Sequence, residues 1–197
     1  MKIELKKLKI SLAHSEETAL FNADLVVNGI TIGYAKNDGR GGCTYYHVYG
    51  KNDAEIKRNR QLMEQAEEHC LSLPPRTYTG LTISIPSNLE VVIDDLVEEE
   101  IQKKEVERIN KKALKLQETN VIFGVRGKEV RAIGYGPNYK IAEMLKTTQG
   151  KELIGKLIHS ALSKMEAGHE ILNTNIDFSL TDFREFVGKL GKKAKTV

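Results

Sequence analysis

Along the first third of the chain, apolar residues recur loosely at every second position; over residues 52–73 they recur at every third or fourth. Alternation marks a strand with one buried face, and spacing of three and four marks one face of a helix. Residues 2–11, 20–27, 30–34 and 43–49 therefore read as strands. Asn28-Gly29 falls between the second and third of these runs. A tight hairpin turn needs positive φ at both central positions, which asparagine and glycine tolerate best. The expectation is an antiparallel meander.

Asn52, with Glu55 three residues later, has the pattern of a capping box. Ile56, Met63, Ala66 and Cys70 then share a helix face, and Pro74-Pro75 stop the helix. Such a helix would cover one side of the meander. Residues 81–85 read as a short strand, and Ser87 with Glu90 as a second capping box. Leu89, Val92, Ile93 and Leu96 form an apolar stripe at the start of a long charged helix. Its acidic residues (Asp94, Asp95, Glu98, Glu99, Glu100) precede its basic ones (Lys103, Lys104, Arg108, Lys111, Lys112, Lys115), an order that suits the helix dipole. Glu99–Lys103, Glu100–Lys104 and Glu107–Lys111 are favourable pairs four apart. One helix, or two joined, should end near Thr119-Asn120.

Residues 121–125 and 129–135 predict a second hairpin turning at Arg126-Gly127-Lys128. Helices follow over 140–147 and 151–167, the latter with Ile154, Leu157, Ile158, Ala161, Leu162 and Met165 on one face and Gly168 as its C-cap. Residues 171–178 read as a weak strand, and Thr181 caps a last short helix. The fold class is α+β: an N-terminal antiparallel β-meander with a packed helix, then a long charged helix, a β-hairpin and C-terminal helices. The domains read as 1–75 and 87–197, with Pro74, Pro75, Gly80 and Pro86 between them, or as one continuous domain.

Composition narrows the class. With 40% hydrophobic and 29% charged residues the chain can build a core and solvate its surface. No apolar run approaches the ~20 residues that cross a bilayer, and the alternating start is unlike a secretory signal. The expected location is the cytoplasm. The two cysteines, Cys43 and Cys70, read as reduced thiols and not as a disulfide framework. A net charge of +3 permits an anionic partner without demanding one.

The most unusual segment is Asn37-Asp38-Gly39-Arg40-Gly41-Gly42. Glycine admits backbone conformations closed to other residues, and successive amides in such a loop can converge on an anion. Arg40 adds a fork of donors suited to phosphate or carboxylate. Tyr34, Tyr45, Tyr46 and Tyr49 surround it, and a tyrosine ring can stack on a planar base. Alternation sends Tyr45 and Tyr49 to one face and Tyr46 to the other. The loop is not a Walker loop: it lacks the Gly-Lys-Ser/Thr ending and precedes a strand. Asp-Gly and Gly-Gly also build ordinary strand connections, so the segment has a purely structural reading as well.

Cys43, His47, His69 and Cys70 are ligand types for zinc, but their spacing matches no zinc-finger pattern. Cys43 beside Arg40 and His47 could favour a thiolate, with no triad assignable. The acidic run of the long helix could hold Mg²⁺, and its basic half could meet phosphates; both read more simply as solvated helix faces.

Residues Gly33-Tyr34-Ala35-Lys36-Asn37-Asp38-Gly39-Arg40-Gly41-Gly42-Cys43-Thr44-Tyr45-Tyr46-His47, and later Ile171-Leu172-Asn173-Thr174-Asn175, resemble short stretches of uncharacterised proteins from bacteriophages and bacterial mobile elements. The resemblance implies an accessory protein acting in a bacterial host cell, and it brings no catalytic residues. The leading expectation is a non-enzymatic protein that binds an anionic, nucleotide-type ligand, in interference with host defence. Its site would comprise Asn37, Asp38, Gly39, Arg40, Gly41, Gly42, Tyr45, Tyr46 and His47, with no cofactor and no metal. The alternatives are a protein–protein module, acting as a homo-oligomer or as an inhibitor of a host protein, and a nucleic-acid binder through the basic half of the long helix and the lysine tail. An enzyme using Cys43 or His47 comes last.

Overall fold

The computed structural model describes residues 1–77 and 84–178. The architecture is α+β. It divides into two compact units, Met1–Gln102 and Lys103–Val197.

In the first unit, β1 (Ile3–Ile10), β2 (Phe21–Val27), β3 (Ile30–Asn37) and β4 (Tyr45–Val48) form a four-stranded antiparallel sheet in the order β1-β2-β3-β4. The β2–β3 turn is Asn28-Gly29, with φ of 49° and 82°, as a two-residue hairpin of this hand requires. β3 runs three residues beyond its expected end at Tyr34, to Asn37. A register shift between Leu25 and Val26 turns Ile32 inward, where it is fully buried. Gly33 is obligatory beside it, because a Cβ there would collide with the His47 carbonyl of β4.

One side of this sheet is the core. Phe21, Leu25 and Val27 of β2, and Ile32 and Ala35 of β3, are buried against helix α1 (Asp53–Leu71) and the start of α2 (Leu89–Leu116). α1 contributes Met63, Ala66 and Cys70, the expected stripe, and α2 contributes Leu89, Ile93 and Val97 four residues apart. Each Val, Leu, Ile, Phe or Met side chain among these, taken out of water, stabilises the fold by about 1.5–3 kcal/mol. The Asn52 side chain accepts the Glu55 amide and caps α1, while Glu55 reaches back to the Lys51 amide.

Two sequence expectations change here. The start of α2 is capped by Asn88, which accepts the Val91 amide; Ser87 is buried and donates to the Pro74 carbonyl, and Glu90 bonds elsewhere. Ser87 reaches Pro74 because β5 (Arg76–Thr77) and β6 (Ser84–Ile85) pair antiparallel and bring those two ends together. The division of the chain falls within α2, not at Pro74–Pro86, because the apolar residues of its first turns belong to the meander's core. Most of the expected 81–85 strand, and the Thr181 helix, lie outside the described residues.

In the second unit, β7 (Val121–Val125) lies between β8 (Glu129–Ile133) and β9 (Glu170–Ile171). The β7–β8 hairpin turns at Gly127, with φ of 71°. Helices α3 (Ile141–Met144) and α4 (Thr148–Lys164) cover it, and α4 buries Ile154, Leu157, Ile158 and Ala161, the predicted face. Strand β9 has only two residues because Asn173, Thr174 and Asn175 leave the ladder. Asn173 accepts the Ile122 amide, Thr174 donates through amide and hydroxyl to Gln117 Oε1, and Asn175 donates to the Gln117 carbonyl just past α2.

Candidate functional site

The loop after β3 is built around one side chain. Asn37 is buried, and its Oδ1 accepts from the Thr18 hydroxyl at 2.8 Å and the Gly39 amide at 2.9 Å. Its Nδ2 donates to the Gly42 carbonyl at 2.9 Å and the Thr44 hydroxyl at 3.3 Å. Gly39 and Gly41 take φ of 81° and 84°, open to glycine at little cost. The Gly39 carbonyl accepts the amides of Glu16 and Glu17.

Three of the loop amides are therefore occupied by side chains. Those of Gly39, Arg40 and Gly41 donate to Asn37, Asp38 and Thr18. A Cβ on Gly41 would strike the Glu17 carboxylate, so an acid lies against the loop. The converging amides expected from the glycine pattern do not form a cradle; the Gly39 amide is buried and already bonded. Arg40 is left exposed at the loop's surface.

Beyond the loop, Thr44 fastens the chain to α2. Its amide donates to Glu90 at 2.9 Å and its hydroxyl to Asp94 at 2.5 Å. Burial pushes the Asp94 carboxyl above its ordinary value; the Thr44 hydroxyl opposes this and nearby Glu90 adds to it. This anchor sets the register of β4, where alternation sorts the aromatic side chains. Tyr46 faces the core, and its hydroxyl donates to Glu67 at 3.0 Å. Burial, and then that bond, push its phenol up to about 12. Tyr46 thus stands apart from the other expected ring residues. Tyr45 and His47 point away from the core, Tyr45 being 65% exposed.

The outer side of the sheet is where the polar and aromatic groups meet. Strand pairing aligns Lys9, Asn22, Lys36 and Tyr45 in one row across the four strands, and Lys6, Asp24, Tyr34 and His47 in the next. The Lys36 ammonium sits 6.0 Å from the ring centres of both Tyr34 and Tyr45. The Tyr34 and His47 rings are 6.2 Å apart and tilted by 55°. Asp24, the acid in these rows, is paired with Lys7 at 2.8 Å. That bond raises the Lys7 ammonium above its ordinary value. Arg40, in the loop that follows β3, lies beyond the Lys36–Tyr45 end of the rows in sequence and remains exposed.

Of the expected site residues, the structure places Tyr45 and His47 on this open face, and Asn37, Asp38, Gly39, Gly41 and Gly42 in the self-bonded loop. Lys36, Asn22, Lys6 and Lys9 were missed. Their signal was the alternation in strands 1 to 3 taken together with the Asn28-Gly29 register, which aligns Asn22 with Lys36. Cys43 is exposed and Cys70 is buried in α1, its thiol pushed up by burial. Among the described residues, no three or more His, Cys, Asp or Glu side chains gather as a metal-holding group. Among them, too, no helix is long and apolar enough to cross a membrane.

Compared with family models, with curated proteins and with solved structures, the chain finds no match in any of the three.

Proposed function

We propose that the chain is a non-enzymatic binding protein whose site is the open face of the N-terminal sheet, and that its ligand is planar and anionic, of nucleotide type. The observation that carries the reading is the Lys36 ammonium placed between the rings of Tyr34 and Tyr45, with His47 beside Tyr34. A base stacks on such rings through dispersion and desolvation, and every base offers the required flat face. A phosphate finds point charges at Lys36, Lys6 and Lys9 and a planar donor fork at Arg40. The self-bonded loop supports the reading in another way: it holds the backbone at Arg40 and the start of β4 in place before any ligand arrives, which lowers the ordering cost of binding. In the accessory-protein setting that the resemblance implies, the ligand would be a nucleotide of host signalling or defence.

The test is calorimetric titration with ATP of the wild type, Tyr45→Ala and Arg40→Ala. Loss of one stacking ring should weaken binding by about 5- to 150-fold. Arg40→Ala should weaken it strongly while leaving the melting temperature unchanged. A variant pair that binds as tightly as wild type would overturn the assignment.

A further inference from the structure

We infer that the open face takes a single strand of nucleic acid, several nucleotides at once, and holds it more tightly than a lone nucleotide; the inference rests on the reading above and extends the ligand from one nucleotide to a strand. Tyr45 and His47 stand two residues apart on β4, which puts their Cα atoms ~7 Å apart. Stacked bases in a duplex are separated by ~3.4 Å. The two rings therefore cannot be covered by neighbouring bases that remain stacked on one another. They fit a strand whose bases are splayed apart, each against its own ring. Base pairs of a duplex, whose flat faces are hidden, offer these rings nothing to stack on.

Charge follows the same plan. Each row carries a ring at the β4 side and a lysine at the β1 side, Lys9 with Tyr45 and Lys6 with His47, and the second row adds the Tyr34 ring on β3. Lys36 lies between them, and Lys6, Lys9, Lys36 and Arg40 are all exposed. The carboxylate in the rows, Asp24, is neutralised by Lys7. A polyanion crossing the sheet from β4 thus passes from the rings to the cations of β3 and β1. One nucleotide would use one ring and one or two of these cations and leave the rest of the array idle. Asn22, exposed between Lys9 and Lys36, brings an amide whose donors and acceptor suit the edge of a splayed base.

The experiment is fluorescence anisotropy of labelled oligothymidylates of increasing length, with thymidine monophosphate and a duplex of matched length as competitors. Affinity should climb from the mononucleotide to strands of about 4–6 nucleotides and then level off. With four phosphates met by Lys6, Lys9, Lys36 and Arg40, log affinity should fall with log salt at a slope of about −3. Lys36→Ala should make that slope shallower by about 0.7, and Tyr45→Ala should weaken binding about 5- to 150-fold with little change in slope. Because Tyr45 is 65% exposed, that variant keeps the fold, which circular dichroism will register. A mononucleotide that binds as tightly as every longer strand would overturn the inference and leave the nucleotide-binding reading standing. A duplex that competes as well as the single strand would also overturn it. Absence of binding to both strand and mononucleotide would remove both.

Discussion

Asn37 in the first unit and Asn173 in the second are both 8% exposed, and each gives both ends of its amide to groups that the ladders leave unpaired. Asn37 accepts from Thr18 and Gly39 and donates to Gly42 and Thr44. Asn173 accepts from Ile122 and donates to the Asn120 carbonyl and to Asn175. An asparagine side chain is a peptide group on a short arm, so it can stand in for a missing strand neighbour. The difference lies in reach. Three partners of Asn37 lie within seven residues of it, whereas Asn173 reaches across 51 residues to Ile122. The first asparagine shapes a local loop; the second fixes how distant parts of the chain meet. Polar residues packed into an irregular segment are therefore a structural device in both units, and chemistry for a ligand is better sought on the exposed face beside the first.

The largest effect should come from Asn37→Ala. It removes four hydrogen bonds and leaves the buried Gly39 amide without its acceptor. A loss of about 3 kcal/mol is expected, the upper end for unsatisfied buried groups. Urea unfolding will read the loss, and amide exchange at Gly39 will show that it begins in the loop. Asn173→Ala should follow at about 2 kcal/mol, because it strands the Ile122 amide in the central strand of the second sheet. Its exchange signature should appear at Ile122 and leave Gly39 unchanged. If both variants accelerate exchange at both amides equally, the two asparagines do not act within separate units.

The same pair shows what the sequence could and could not disclose. The meander, the α1 stripe, the Asn28-Gly29 turn and the buried face of α4 were all legible, because each depends on local periodicity and turn chemistry. The glycines of the 37–42 loop were also legible as unusual, yet a positive φ does not say whether the amides it turns point inward or outward. That was decided by Thr18 and Glu17, about twenty residues upstream, in contacts that no local spacing encodes. Asn173-Thr174-Asn175 looked like a poor strand for the same reason: its partners are Gln117, Asn120 and Ile122. The open face was half legible. Alternation separated Tyr45 from Tyr46, and the hairpin register aligned Asn22 with Lys36, but the pairing of β3 with β4 depends on the folded loop. Ser87 and Glu90 misled because a capping box needs both partners free, and here Pro74 and Thr44 claim them.

The smallest effect separates the two networks by charge. The Asn37 loop is fastened to α2 through Thr44 and the carboxylates of Glu90 and Asp94, whereas the Asn173 network is closed by the neutral side chains of Gln117, Thr174 and Asn175. In the folded chain Asp94 holds its proton to a higher pH than its ordinary value of 3.8, through burial first and Glu90 next, against the bond from Thr44. The folded form therefore binds more protons than the unfolded chain between those two values. The stabilisation tied to that proton is fully present below 3.8 and is lost as pH rises through the raised value. Asp94→Asn keeps an acceptor for the Thr44 hydroxyl and removes the titration. Melting curves across acidic to neutral pH should accordingly be flatter for Asp94→Asn than for wild type, with neutral-pH stability equal or higher by less than about 1 kcal/mol. Asp94→Ala, which also deletes the acceptor, should be less stable at every pH. Ile122 exchange, corrected for its intrinsic pH dependence, should not follow the titration in any of the three proteins. A wild-type profile that Asp94→Asn leaves unaltered would mean that the charge at this anchor is already fully solvated, and that the two asparagine networks differ in reach alone.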